Sequence, residues 1–147
     1  MLQVRIFLAA TALFLAATPA MVLNRPAIAA AADYRLEALD PRLPAGKDVT
    51  VAVRLIHAPS GKPVTNAVLV RSRLDMSPEG MGDMTAPLTP VESKDLGIWR
   101  LETKLPMVGD WALTIQAKVP GETDTVQGTV VITGVEPAGV SGQSHGR

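Results

Sequence analysis

From Asp33 onward the sequence predicts an all-β fold, a sandwich of two antiparallel sheets. Three observations carry that expectation: apolar and polar residues alternate in short runs, turn formers separate the runs, and no stretch keeps a helical period.

The segment before the domain, residues 1–32, reads as a secretory signal. Met1 to Arg5 make a short cationic start, Ile6 to Leu23 carry no charge, and small residues run through Ala27-Ile28-Ala29-Ala30-Ala31-Ala32. That order predicts export and cleavage after Ala32 or Ala29, and hence a periplasmic or otherwise extracytoplasmic domain. A retained anchor is the rival reading, because the apolar run approaches the roughly 20 residues that span a bilayer. It would tether the domain to the membrane through residues 6–23.

The β-sandwich domain is expected over residues 33–134. Tyr34, Leu36 and Ala38 share one face of its first strand, and Val49, Val51, Val53 and Leu55 that of the second. In the third, Val68, Val70, Leu74 and Met76 oppose Arg71, Arg73 and Asp75. A short fourth strand between Ala86 and Val91 is expected at a sheet edge, because Pro87 and Pro90 cannot donate to a ladder. The fifth sets Trp99, Leu101, Thr103 and Leu105 against Arg100, Glu102 and Lys104. Trp111, Leu113, Ile115, Ala117 and Val119 form the inner face of the sixth, and Val126, Gly128, Val130 and Ile132 that of the seventh. Pro59-Ser60-Gly61-Lys62-Pro63, Ser93 to Gly97, Val108-Gly109-Asp110 and Pro120-Gly121-Glu122 supply turns. About seven short strands so connected are the pattern of an immunoglobulin-like sandwich. Residues 135–147, rich in Gly, Ser and Pro, read as a flexible tail.

Composition narrows the function classes. After the expected cut twelve basic residues remain against all fourteen acidic ones, a net charge of −2, and nothing resembles a nucleic-acid footprint. There is no cysteine, so stability rests on burial and backbone pairing in a compartment that would allow disulfides. Phe7 and Phe14 leave with the signal, and the core falls to Val, Leu, Ile and Ala with Trp99, Trp111 and Tyr34. No nucleophile with a base and no paired acids are visible, so a non-enzymatic, monomeric protein is expected. His57 and Ser60 are neighbours in sequence, but a histidine ending a strand beside Pro59 reads as a turn residue.

Four methionines remain in the domain: Met76, Met81, Met84 and Met107. A thioether is a soft, uncharged donor that needs no deprotonation, and it suits Cu(I) better than harder ions. Met76 through Met84 fall in and beside a glycine-rich stretch expected to form a loop. Alternating strand directions carry that loop and Met107 to the same end of the sandwich, with His57 at the other. The tail leaves from the methionine end, within reach of His145. Met76 and Met107 also share the inward parity of their strands, so a core role stays open, as does an adaptable contact surface. Asp75, Glu79 and Asp83 lack the spacing of a calcium loop and are expected to keep the loop soluble.

Taken in order, Gly61-Lys62-Pro63-Val64-Thr65-Asn66-Ala67, Asp75-Met76 through Met84, Gly97-Ile98-Trp99 and Leu105-Pro106-Met107-Val108-Gly109-Asp110-Trp111 resemble the YtkA-like and FixH-like exported domains. The resemblance runs from about Val49 to Ile132 and implies a small β-sandwich. It also implies a role beside copper transport, copper resistance or respiratory-oxidase assembly, with such proteins as partners and Met76, Met81 and Met84 as the family's methionine-glycine loop. Ser77-Pro78-Glu79-Gly80 lengthens that loop relative to the family pattern. Gly97 and Gly109-Asp110-Trp111 are expected to be structural, as turn glycines and a tryptophan closing the end of the core.

Overall fold

The computed structural model describes residues 32–139. The expected signal, apart from Ala32, lies outside the described residues, as do residues 140–147 of the expected tail with His145. Among the described residues, no helix is long and apolar enough to cross a membrane.

Ten strands follow in order: β1 Tyr34–Ala38, β2 Arg42–Pro44, β3 Asp48–His57, β4 Lys62–Pro63, β5 Val68–Met76, β6 Met81–Ala86, β7 Leu88–Val91, β8 Ile98–Lys104, β9 Gly109–Lys118 and β10 Val126–Val135. They form two sheets. One has the order β1-β3-β8-β7, with β4 also on β3; the other runs β2-β10-β9-β5-β6. All pairings are antiparallel except that of β2 with β10, where Thr133 to Val135 run alongside Arg42 to Pro44. Two facing sheets in this order are the immunoglobulin-like sandwich that the alternation predicted.

The core is what the inward parities foretold on most strands. Val51, Val53, Leu101, Leu105, Trp111, Leu113, Ile115 and Ile132 are fully or almost fully buried. Burying each large apolar side chain contributes about 1.5–3 kcal/mol, in place of the absent disulfide. A smaller cluster of Leu55, Val119 and Val126, with Tyr34 and Trp99 against it, closes the end where β3 finishes. Gly128 is set by the crossing of β1 over β10: a Cβ there would lie 2.9 Å from the Leu36 Cβ.

Three expectations need correction. Val68 and Val70 do not face inward; they are 64% and 59% exposed. A bulge between Leu69 and Arg71 shifts the register on β9, so Leu69 lies opposite Ala117 but Ser72 opposite Ile115, and the inward parity changes at Val70. The glycine-rich stretch is not a loop: Ser77–Glu79 form a single 3-10 turn and Met81–Ala86 form β6, the edge of the second sheet. Finally, β10 continues to Val135, because Gly134 and Val135 gain the parallel partners Leu43 and Pro44.

The fourth strand proves to be β7, the edge of the first sheet, as its prolines required. Pro87 marks the place where the chain leaves one sheet for the other. Ala86 still pairs with Leu74 of β5, whereas Leu88 pairs with Thr103 of β8. The Thr103 hydroxyl donates to the Pro87 carbonyl at 2.7 Å and pins the crossing.

Candidate methionine site

The end of β5 organises this end of the molecule. Leu74, Asp75 and Met76 are all buried there, and Met76 is only 1% exposed. Asp75 is the polar hub. Its Oδ2 accepts from Arg73 Nε at 2.6 Å and its Oδ1 from the Ser77 amide at 3.0 Å. Those hydrogen bonds, from Arg73 first and then Ser77, hold its carboxyl below the ordinary carboxylate range. The second guanidinium nitrogen of Arg73 donates to the Gly82 carbonyl at 2.8 Å, tying β6 back onto β5.

The 3-10 turn is latched to the neighbouring strand. Gly80 takes a left-handed φ of 76° and donates its amide to Ser77 O at 3.0 Å, while Glu79 Oε1 accepts from the Asp110 amide at 3.0 Å. Asp110 in turn accepts from the Thr133 hydroxyl at 2.7 Å. Gly109 is needed between them. Its φ is 126°, and a Cβ would meet the Met76 methyl at 2.9 Å and Glu79 Oε1 at 3.4 Å. Trp111, wholly buried, donates its indole N–H to the Met107 carbonyl at 3.3 Å, which closes the core as its sequence position implied.

The four methionines share this end but fall into two groups. Met81 is the cross-strand partner of Met76, and Met84 sits with Gly82 and Asp83 in the irregularity before Thr85 pairs with Asp75. Met81 is 40% and Met84 38% exposed, so one hairpin carries a buried thioether and two accessible ones. Met107, 41% exposed, lies on the other flank of Gly109, beside Ala45, Gly46, Val108, Glu136 and Pro137. Met81 opens β6, while Met107 precedes β9, two strands away in the order β9-β5-β6.

Residue typing missed the parts played by the acids. Asp75 and Glu79 are latches rather than solubilising charges, while Asp83 is exposed. The one readable signal was Ser77 two places after Asp75, the spacing at which an aspartate side chain caps its own backbone. Among the described residues, no group of three or more His, Cys, Asp or Glu side chains stands together as a metal site. His57 is at the far end, as strand direction required. Its ring tilts against Tyr34 at 5.3 Å and its Nδ1 lies 2.8 Å from the Ser60 hydroxyl.

Fold and site together define a small, cysteine-free, immunoglobulin-like β-sandwich module. The family model described as YtkA-like matches residues 28–116, more than half of the chain, and the protein belongs to the YtkA-like family. Among solved structures, the crystal structure of the Lin-41 filamin domain is similar at 16% identity, covering 65% of this chain and 91% of that one with a TM-score of 0.39. No curated protein matches.

Proposed function

We propose that this protein is an exported, non-catalytic module that holds Cu(I) on the hairpin bearing Met76, Met81 and Met84. In this reading it keeps the ion or hands it to a copper-transport or oxidase-assembly protein. The observation that carries the reading is the register of that hairpin: Met81 opposite Met76, with Met84 in the adjoining irregularity. Neutral thioethers at one place suit a soft monovalent ion. The nearest buried carboxylate is already committed to Arg73 and Ser77, and Glu79 to the Asp110 amide, which leaves Asp83 as the one uncommitted acid of the hairpin among the described residues, too few for a hard cation's oxygen shell. An exported chain without cysteine has methionine and histidine left for a soft metal. Met107, across Gly109, stands outside this ligand set.

A second reading draws on the exposure of Met81 and Met84 at a sheet edge, where flexible thioethers make adaptable contacts with a protein partner. One experiment separates the two. The purified protein is titrated with Cu(I) against a competing chelator, beside Met81→Leu/Met84→Leu and Met107→Leu variants. The double variant should lose affinity about tenfold or more, equivalent to about 1.4 kcal/mol, and Met107→Leu should match the parent. Equal and negligible uptake by all three would remove the copper reading and leave the docking one standing.

A further inference from the structure

The departure of the chain at Pro87 leaves β5 half covered. On one side β5 pairs with β9 from Val68 to Asp75, but on the other β6 reaches only Leu74, Asp75 and Met76. Residues Val68 to Arg73 therefore have no strand on their outer side. In an antiparallel strand alternate residues turn both N–H and C=O outward, so the stretches on either side of the Val70 bulge offer unpaired donors and acceptors to an incoming strand. β7, the edge of the other sheet, is protected by Pro90.

Beside this open edge lies an apolar groove of about 470 Å³ between the two sheets. Val68 and Leu69 form one wall, and Val91, Ile98, Trp99 and Arg100 the other. Val68 and Val70 are the exposed large apolar residues of β5. The charge along the edge is positive. Arg71 makes no ion pair among the described residues, and Arg73 projects from the same strand, half of its side chain exposed despite its bond to Asp75.

We propose that Val68–Arg73 is a strand-addition site for an extended, acidic segment of a partner protein. The segment would pair with the β5 backbone in line with β6, lay alternate apolar side chains against the groove, and set carboxylates by Arg71. Main-chain bonds give such a site affinity, and the side-chain pockets and charge give it selectivity. A second copy of this chain is the less suited occupant. Antiparallel pairing of two β5 edges would bring both Arg71 and both Arg73 side chains onto one short ladder, and like charges across a ladder destabilise it. The inference does not rest on the copper reading, since it uses neither the hairpin methionines nor a metal.

The test uses isotope-labelled full chain and an end-capped peptide of alternating valine and glutamate, followed by NMR amide exchange. Protection should appear at amides within Val68–Arg73, on both sides of the Val70 bulge, and strengthen at low salt. The valine–lysine counterpart should bind about tenfold more weakly or worse, and an N-methylated valine–glutamate peptide should not bind. Arg71→Glu keeps the backbone edge and should reverse the preference between the two charged peptides. Protection elsewhere, equal binding of both charged peptides to parent and variant, undiminished binding of the N-methylated peptide, or protection that grows with protein concentration alone would each overturn the proposal.

Discussion

Tyr34 shows how one side chain can report on the end of the molecule away from the methionines. Its hydroxyl donates to Glu122 Oε1 at 2.6 Å, joining β1 to the turn after β9. That hydrogen bond, then burial and the charges of Glu122 and Asp33, push its pKa up from 10.0 to about 12. The raised value fixes the sign of the linkage: the bond's contribution is complete below about pH 10, where both states keep the phenol protonated. It then fades as pH rises toward about 12. Tyr34 is the only tyrosine of the chain, so tyrosinate absorbance reads this equilibrium directly. The folded protein should titrate near pH 12, and Glu122→Gln should bring the midpoint down toward 10. A parent midpoint already near 10 would mean that the bond does not hold in solution.

At the scale of single strands, alternation was legible wherever a strand ran without a bulge. β3, β8, β9 and β10 bury or half-bury the residues their parities nominated, because a side-chain period of two leaves one choice of face once a run is apolar on one side. β5 broke the rule at Val70, where the bulge lets valine and arginine stand outward in succession; nothing in Val68-Leu69-Val70-Arg71 announces an extra residue. β6 was hidden by its composition. Gly80, Gly82 and Pro78 read as loop, yet Arg73 bridging Asp75 to Gly82 supplies from the side what strand propensity lacks. β10 offers a test of close approach. Gly128 lies under β1, where a new Cβ would come within 2.9 Å of Leu36 Cβ and 3.3 Å of the Leu36 amide nitrogen. Replacing glycine in a strand ordinarily stabilises, but here the obstacle is the backbone and Cβ of β1 rather than a mobile side-chain tip, so overpacking wins. Gly128→Ala should cost about 1–3 kcal/mol in chemical denaturation. A neutral or stabilised variant would show that β1 can lift from β10 without loss.

Across the whole molecule, strand direction sorted the chemistry correctly between the two ends, sending the methionines to one and His57 to the other. It could not resolve position across an end. Met107 precedes β9 whereas Met81 opens β6, two strands along in the order β9-β5-β6, an order that no local pattern encodes. The same order distinguishes the folding unit from the stretch that carries the family likeness. The match stops at residue 116, inside β9, yet β10 pairs with β9 from Val126 to Gly134 and, among the described residues, supplies the only sheet partner of β2. It also contributes Val126 and Ile132 to the two core clusters, with Val130 packed against the larger one. At about 1.5–3 kcal/mol for each buried side chain, before any ladder bonds, losing β10 removes an amount comparable with the 5–15 kcal/mol that holds a typical domain together. A chain ending at Gly139 should therefore melt as the full chain does. One ending at Gly121 should show no cooperative transition and none of the near-UV dichroism expected from Trp111 in a closed core. Cooperative melting of the shorter chain would mean that β1–β9 close a core without the strand that here lies between β2 and β9.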